Sequence, residues 1–348
     1  MTQPPRSRVL IAKQLADVSD ATLRFFRQIG VEAVGVPTRM VTEVRRSRPH
    51  VPPAQEGPAG PQPPPWDADE LRRVCDRVRA FGFEPCTAAL PVSGNILLGR
   101  PGRDADLESV QACIRAAGAA GIGVLTYGFT ALRASAGYYA VDGSGRGGAH
   151  LRAFDFDRVR HLPPLDGVGT HSREEMWERL TRFLRAAVPA AEAAGVRLAL
   201  HPNDPPVAAF RGVEQPVRSL ADFERLLDAV ESPANCLFMD TGVVTEMGED
   251  AAAAIRTFGA RGRIGFVHYR NVRVDAPNER YTEVFFDEGD GDMAACMAAF
   301  YDAGYRGAVE PDHTPGIDGD TADTWIGWAF AVGQIRALRD AAAGGHLR

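Results

Sequence analysis

Short apolar runs alternate with longer segments whose apolar residues recur every three or four positions, and the rhythm persists almost throughout the chain. Strands buried on both faces of a parallel sheet appear as continuous apolar runs rather than as strict alternation. VLIAKQL (Val9 to Leu15), VEAVGVP (Val31 to Pro37), FEPCTAALPV (Phe83 to Val92) and IGVLTYGF (Ile122 to Phe129) read as the first four strands. VRLALH, ANCLFMD, RIGFVHYR and GAVEPDH read as the next four, ending near His201, Asp240, Arg270 and His313. Between them lie helical patterns with recognisable starts: Ser19-Asp20, Asp67 and Asp69, and Ser172 with Glu175 as a capping box. A closing helix is expected from about Asp320 to Arg339. Eight strands alternating with eight helices predict a single α/β domain over residues 1–348, a (β/α)8 TIM barrel. A doubly wound dinucleotide fold lacks its main signal, because no G-x-G-x-x-G follows a strand and opens a helix.

Two stretches interrupt the rhythm. Residues 48–66, RPHVPPAQEGPAGPQPPPW, are too rich in proline for helix or sheet and read as an inserted loop. Residues 130–170 carry many Gly and Tyr residues without a clear period and read as a long, lid-like loop after strand four.

Composition adds constraints rather than chemistry. The 348 residues are 45% hydrophobic and 24% charged, an ordinary globular balance, and the net charge of −6 with interspersed signs offers no basic footprint for nucleic acid. Five cysteines, scattered and without CxxC spacing, indicate a reducing compartment. No apolar run is long enough for a signal peptide or a membrane span, so a cytoplasmic protein with no membrane partner is expected; homo-oligomerisation is left open.

Barrel enzymes work at the C-terminal ends of their strands. Strands five to eight end in His201, Asp240, His268 and Asp312-His313, spaced about one βα unit apart, so that only barrel closure would bring them together. Two imidazoles and two carboxylates form a mixed N/O set suited to Mn²⁺, Co²⁺, Fe²⁺ or Zn²⁺. Asp204, in the turn HPNDPP, is placed either to orient a ligand imidazole or to form an Asx turn. Arg270 and Arg273, beside His268, are candidate clamps for a substrate carboxylate. DEGDGDM (Asp287 to Met293) lacks calcium-loop spacing, and Asp290 or Asp292 is expected to cap the following helix.

The run EEMWERLTRFLRAAVPAAEAAGVRLALHPNDPP, followed by MDTG, GFVHYRNV, GDGDM and VEPDH, resembles the motif order of the D-mannonate dehydratase family, within the xylose-isomerase-like barrels. IGVLTYGF and the later Asp142-Gly143-Ser144 also fit, and the likeness is strongest from Glu174 to His313. The resemblance implies a Mn²⁺-dependent lyase that dehydrates D-mannonate to 2-keto-3-deoxy-D-gluconate. It places metal ligands on His201, Asp240, His268 and Asp312, and a general acid or base on His313. It also puts substrate-facing groups at Arg133 and Tyr127. Three departures are visible. Asp240 stands where the family usually has Cys, Glu310 where it has Arg, and TPGIDGDTADTWIGWAF lacks the family's tyrosine. Tyr138 or Tyr139 in the long loop are the distant substitutes for that tyrosine.

For dehydration, one group removes the C2 proton of a sugar acid and another protonates the leaving C3 hydroxyl. Glu310 as a catalytic strand-end carboxylate would also suit a metal-dependent sugar isomerase or epimerase working through an enediolate. A non-catalytic sugar-acid binder is the third reading.

Overall fold

A computed structural model describes residues 8–43, 59–132 and 137–347. Its strands β1 (Leu10–Gln14), β2 (Ala33–Gly35), β3 (Glu84–Ala89) and β4 (Val124–Gly128) continue through β5 (Arg197–His201), β6 (Asn235–Asp240), β7 (Ile264–Tyr269) and β8 (Ala308–Pro311). They pair in parallel in chain order, and β8 pairs back onto β1, which closes the barrel. Each strand lies within the apolar run that marks it in the sequence.

Alternate side chains of a barrel strand point inward. One residue per strand (Ala12, Ala33, Cys86, Val124, Ala199, Phe238, Phe266 and Ala308) builds an inner layer, mostly small, with two phenylalanines filling the space. Two positions further on, the same periodicity brings His201, Asp240, His268 and Glu310 to the inner face at the C-terminal mouth. The intervening residues, among them Leu125, Tyr127, Leu198 and Leu200, face outward into the large core beneath the helices.

Among the described residues, eight long helices cover the barrel: α1 (Asp20–Ile29), α2 (Ala68–Ala80), α3 (Arg103–Ala120), α4 (Arg173–Ala194), α5 (Leu220–Ala229), α6 (Ala251–Ala260), α7 (Met293–Asp302) and α8 (Trp325–Ala343). Ser19 and Asp67 cap α1 and α2, and Ser172 and Glu175 form the expected capping box on α4. Asp292 caps α7, while Asp290 accepts a hydrogen bond from the Val274 amide. The last helix starts later than its sequence pattern suggests. Asp320 lies outside it and reaches forward to accept from the amides of Ile326 and Gly327, at 2.8 and 2.9 Å. No helix among the described residues is long and apolar enough to cross a membrane.

The 130–170 stretch departs from the expectation of an irregular loop. It contains strands Tyr138–Val141 and Leu151–Asp155, which join Asn271–Ala276 and Arg280–Val284 in a four-stranded antiparallel sheet beside the barrel mouth. Tyr138, Arg152, Phe154, Tyr281 and Glu283 share one face of this cap, by direct cross-strand pairing of Tyr138 and Tyr281 with Phe154 and of Glu283 with Arg152. That face is polar because it looks onto the site, and the hydrophobic alternation that reveals a strand is therefore missing. Of the proline-rich stretch, residues 59–66 are irregular. They pack by the mouth, Gly60 accepting from the Gly94 amide and Gln62 donating to the Pro91 carbonyl. Residues 48–58 lie outside the described residues.

Helices α3 and α4 cross closely enough that a Cβ on Gly118 would stand 2.5 Å from the backbone oxygen of Ala194. Gly118→Ala is expected to lower stability by about 1–3 kcal/mol in urea unfolding. This reverses the gain of about 1 kcal/mol that alanine brings to an open helix. An unchanged or raised unfolding midpoint would show that the helices have room to spare there.

Candidate metal centre and active site

β5 ends at His201 because the following Pro202, Pro205 and Pro206 cannot extend the ladder. The His201 Nδ1 lies 2.7 Å from the Pro202 carbonyl, to which it donates, so Nε2 is the free nitrogen, 3.2 Å from Asp240 Oδ2. Asp240 is fully buried and divides its two oxygens. Oδ1 accepts from the Val243 amide at 2.8 Å, capping the short helix Thr241–Glu246, while Oδ2 faces the mouth. His268 at the end of β7 places Nδ1 3.4 Å from Asp240 Oδ2 and 3.3 Å from Asp312 Oδ2. Ligand atoms of His201, Asp240 and His268 all lie within 4.8 Å of one another. Asp312 stands at the edge of this trio, beside His268.

The electrostatics favour a cation. Burial opposes ionisation of Asp240, but the Arg270 guanidinium and the imidazoles of His201 and His268 beside it hold its carboxyl well below the usual range. Burial also opposes ionisation of Asp312, and His268, His313 and Arg270 overcome it. For His201, burial lowers the imidazole pKa, but Asp240 more than offsets this and raises it. The buried Nδ1 of His268 has no hydrogen-bond partner despite the two carboxylate oxygens beside it. Atoms that share an ion at about 2.1 Å lie roughly 3.0–3.4 Å apart. The separations of 3.2–3.4 Å around Asp240 Oδ2 and His268 Nδ1 fall in that window. These residues fit a divalent metal.

Arg270 is not the substrate clamp expected from its position beside His268. Its side chain is 1% exposed, and each guanidinium nitrogen meets a protein carboxylate. Nε lies 3.1 Å from Asp240 Oδ2, Nη1 2.6 Å from Glu246 and Nη2 2.8 Å from Asp204. Asp204 holds no imidazole either. Its Oδ2 takes Arg270 and its Oδ1 accepts from the hydroxyls of Tyr138 and Tyr281, tying the cap sheet to the barrel. Tyr127 also departs from expectation: it points outward, buried against Phe183 at 5.1 Å between ring centroids, and does not reach the site. Arg273 is exposed and donates to the Glu288 carbonyl. Arg133 lies outside the described residues. Tyr138 is engaged by Asp204, and Tyr139 carries Arg158 over its ring.

Glu310 occupies the mouth without being a free base. Oε1 accepts from Lys13 Nζ at 2.6 Å and from the Gln14 amide at 2.7 Å, while Oε2 lies 3.9 Å from His268 Nε2. At that separation Glu310 is a charged neighbour of the ring's far nitrogen and not its hydrogen-bond partner. His313 follows Asp312 and brings Nε2 to 3.5 Å from Asp312 Oδ2, with Nδ1 2.9 Å from Glu283 Oε1. Lys13, Arg152 and Glu283 were missed by the sequence reading. Lys13 carried a usable signal, as the one charge within the first apolar run; the other two sit on strands that the hydrophobic pattern does not reveal.

The closed parallel barrel carries its His/Asp cluster at the C-terminal mouth, where barrel enzymes work, and its fold is that of the xylose-isomerase-like barrels. A xylose isomerase domain protein of Alicyclobacillus acidocaldarius shares this fold, with TM-score 0.60 at 18% identity over 97% of this chain and 100% of that one. The crystal structure of mannonate dehydratase from Streptococcus suis serotype 2 aligns better, with TM-score 0.79 and 26% identity over 98% of this chain and 95% of that one. Mannonate dehydratase of Streptococcus equi subsp. zooepidemicus is 32% identical over 286 residues, 74% of this chain and 78% of its own. The family model D-mannonate dehydratase (UxuA) matches residues 150–344. The chain belongs to the D-mannonate dehydratase family, and it is an enzyme of the sugar-acid dehydratase class. The isomerase or epimerase alternative is not favoured.

Replacing Arg270 with methionine would leave Asp204, Asp240 and Glu246 buried together without their cation. Arg270→Met is expected to cost about 3–5 kcal/mol in equilibrium unfolding. A loss below about 1 kcal/mol would show that solvent or a bound ion already neutralises the cluster.

Proposed function

We propose that the protein dehydrates D-mannonate, or an aldonic acid with the same C2 and C3 configuration, to the 2-keto-3-deoxy acid, and that it uses a divalent metal, Mn²⁺ first. The observation that carries this reading is the unpartnered Nδ1 of His268, set between Asp240 and Asp312 and in one cluster with His201 Nε2. The substrate is taken from the relatives named as mannonate dehydratases, and Mn²⁺ from the family resemblance, with which a mixed set of two imidazole nitrogens and two carboxylate oxygens is compatible. Five free, buried cysteines support a reducing, cytoplasmic setting.

His201 Nε2, Asp240 Oδ2, His268 Nδ1 and Asp312 Oδ2 would hold the ion. Bound there, it would supply the Lewis acidity that makes the proton alpha to the substrate carboxylate labile. Arg270 keeps Asp240 and Asp312 ionised, and Glu310, held by Lys13, places a negative charge behind the His268 ring. His313 holds and moves a proton at Nε2, the nitrogen turned toward the cluster. Loss of the C2 proton and of the C3 hydroxyl releases one water and leaves an enol, which tautomerises to the 2-keto-3-deoxy acid.

Elemental analysis of the purified protein, with a panel of aldonic acids, uronic acids and free sugars, tests the reading. His268→Ala and Asp312→Ala are each expected to abolish bound metal and turnover together; full activity in metal-free protein sinks the proposal. Asp240→Cys keeps a negative ligand and is expected to retain metal. It should lose about 1 kcal/mol of stability, because a thiolate does not replace the carboxylate cap on Val243. A product with the mass of its substrate would point to isomerisation instead.

A further inference from the structure

We infer that Glu283 of the cap sheet is the positioning residue of His313, so that the acid–base apparatus is shared between barrel and cap. This rests on the reading of His313 as the proton carrier. The two residues come from separate parts of the fold, His313 from the loop after β8 and Glu283 from the cap strand Arg280–Val284. Glu283 Oε1 lies 2.9 Å from His313 Nδ1, and the Glu283 side chain is only 5% exposed. Arg152, on the neighbouring cap strand, approaches the same oxygen at 3.3 Å and lies flat over the Tyr138 ring at 3.9 Å. Tyr138 is in turn bound to Asp204, and Asp204 to Arg270. A continuous polar chain thus fixes Glu283 relative to the metal cluster.

Three features mark this contact as more than a structural ion pair. His313 is held at φ 44°, a left-handed backbone that side-chain-bearing residues adopt at a cost and that persists where surroundings impose it. Glu283 Oε2 is buried without a hydrogen-bond partner among the described residues. Stability alone does not explain a carboxylate placed with one oxygen unsatisfied. Finally, the contact consumes one specific ring nitrogen. A neutral imidazole transfers protons through whichever nitrogen is unprotonated, and a carboxylate on Nδ1–H leaves Nε2 as that nitrogen. Nε2 is the atom that faces Asp312 at 3.5 Å, and as the unprotonated nitrogen it accepts from Arg152 Nη1 at 3.2 Å until substrate takes that place. Arg152 keeps Glu283 ionised: burial opposes ionisation, yet Arg152 and His313 bring its carboxyl to about 2.

Two measurements decide the matter. In long-range proton–nitrogen spectra of the zinc-loaded, histidine-labelled protein at alkaline pH, assigned with His313→Asn, His313 is expected as the Nδ1–H tautomer; Glu283→Leu should give a mixture. A wild-type His313 protonated at Nε2 overturns the proposal. In kinetics, Glu283→Gln should lower kcat by about 10- to 100-fold, short of the roughly 100- to 10,000-fold that a general acid–base group contributes. KM should stay within about twofold, with zinc content and circular dichroism unchanged. In the His313→Asn background the same substitution should cost nothing further. An equal loss in both backgrounds would make Glu283 a structural residue. The spectra decide the positioning claim whatever the substrate proves to be, so an inactive wild type would overturn the dehydratase reading alone.

Discussion

A guanidinium with almost no exposed surface, Arg270, stands between β7 and the cap and is surrounded by Asp204, Asp240 and Glu246, with Asp312 3.5 Å from its Nε. Burying charge costs several kcal/mol per ion unless each is satisfied by its neighbours. Arginine suits this position because its rigid fork presents several donors at once, which lysine's single ammonium does not. Each carboxylate it touches has a second task. Asp240 faces the imidazoles of His201 and His268 and caps a helix, Asp204 receives the two cap tyrosines, and Asp312 flanks His268. The barrel mouth, the candidate metal centre and the cap sheet are therefore held in register by one side chain.

That arrangement sets the character of the site. Phe238 lies beneath both imidazoles, its ring centroid 4.8 Å from that of His201 and 4.3 Å from that of His268. The apolar floor removes water from one side of the cluster and strengthens each charge interaction above it. The His201 tautomer is set by a neighbour outside the cluster, the Pro202 backbone carbonyl, while Glu310 stands 3.9 Å behind the far nitrogen of His268. The two rings present different nitrogens, Nε2 and Nδ1, toward the same carboxylate oxygen.

The barrel itself was readable from the chain because burial on both faces leaves an apolar run for each strand, and local caps mark where the helices begin. Strand ends five to eight were readable for the same reason: a polar residue terminating such a run has little else to do there. What could not be read was everything that depends on long-range pairing across the mouth. The strands Tyr138–Val141 and Leu151–Asp155 turn a polar face to the site, so their pattern resembles a loop. Arg270 looked like a substrate clamp because its sequence neighbour is His268; its partners Asp204 and Glu246 are remote from it in the chain. Tyr127 was misjudged by one step of strand alternation, which turns a side chain from the barrel interior into the helical layer.

Asp240 stands where the family resemblance leads one to expect cysteine, and the geometry gives that aspartate a reason. Its Oδ1 closes the start of Thr241–Glu246 through Val243, while Oδ2 meets His201, His268 and Arg270. A thiolate has one acceptor atom and would have to choose between capping and the cluster. A carboxylate performs both, and it gives Arg270 a hydrogen-bonding oxygen where sulfur would accept more weakly. As a candidate metal ligand, an aspartate here would be harder than a cysteine at the same charge and would favour metals that prefer oxygen. The substitution thus belongs with the buried arginine behind it: Arg270 keeps an aspartate ionised at zero exposure, and the aspartate anchors the guanidinium that joins barrel to cap.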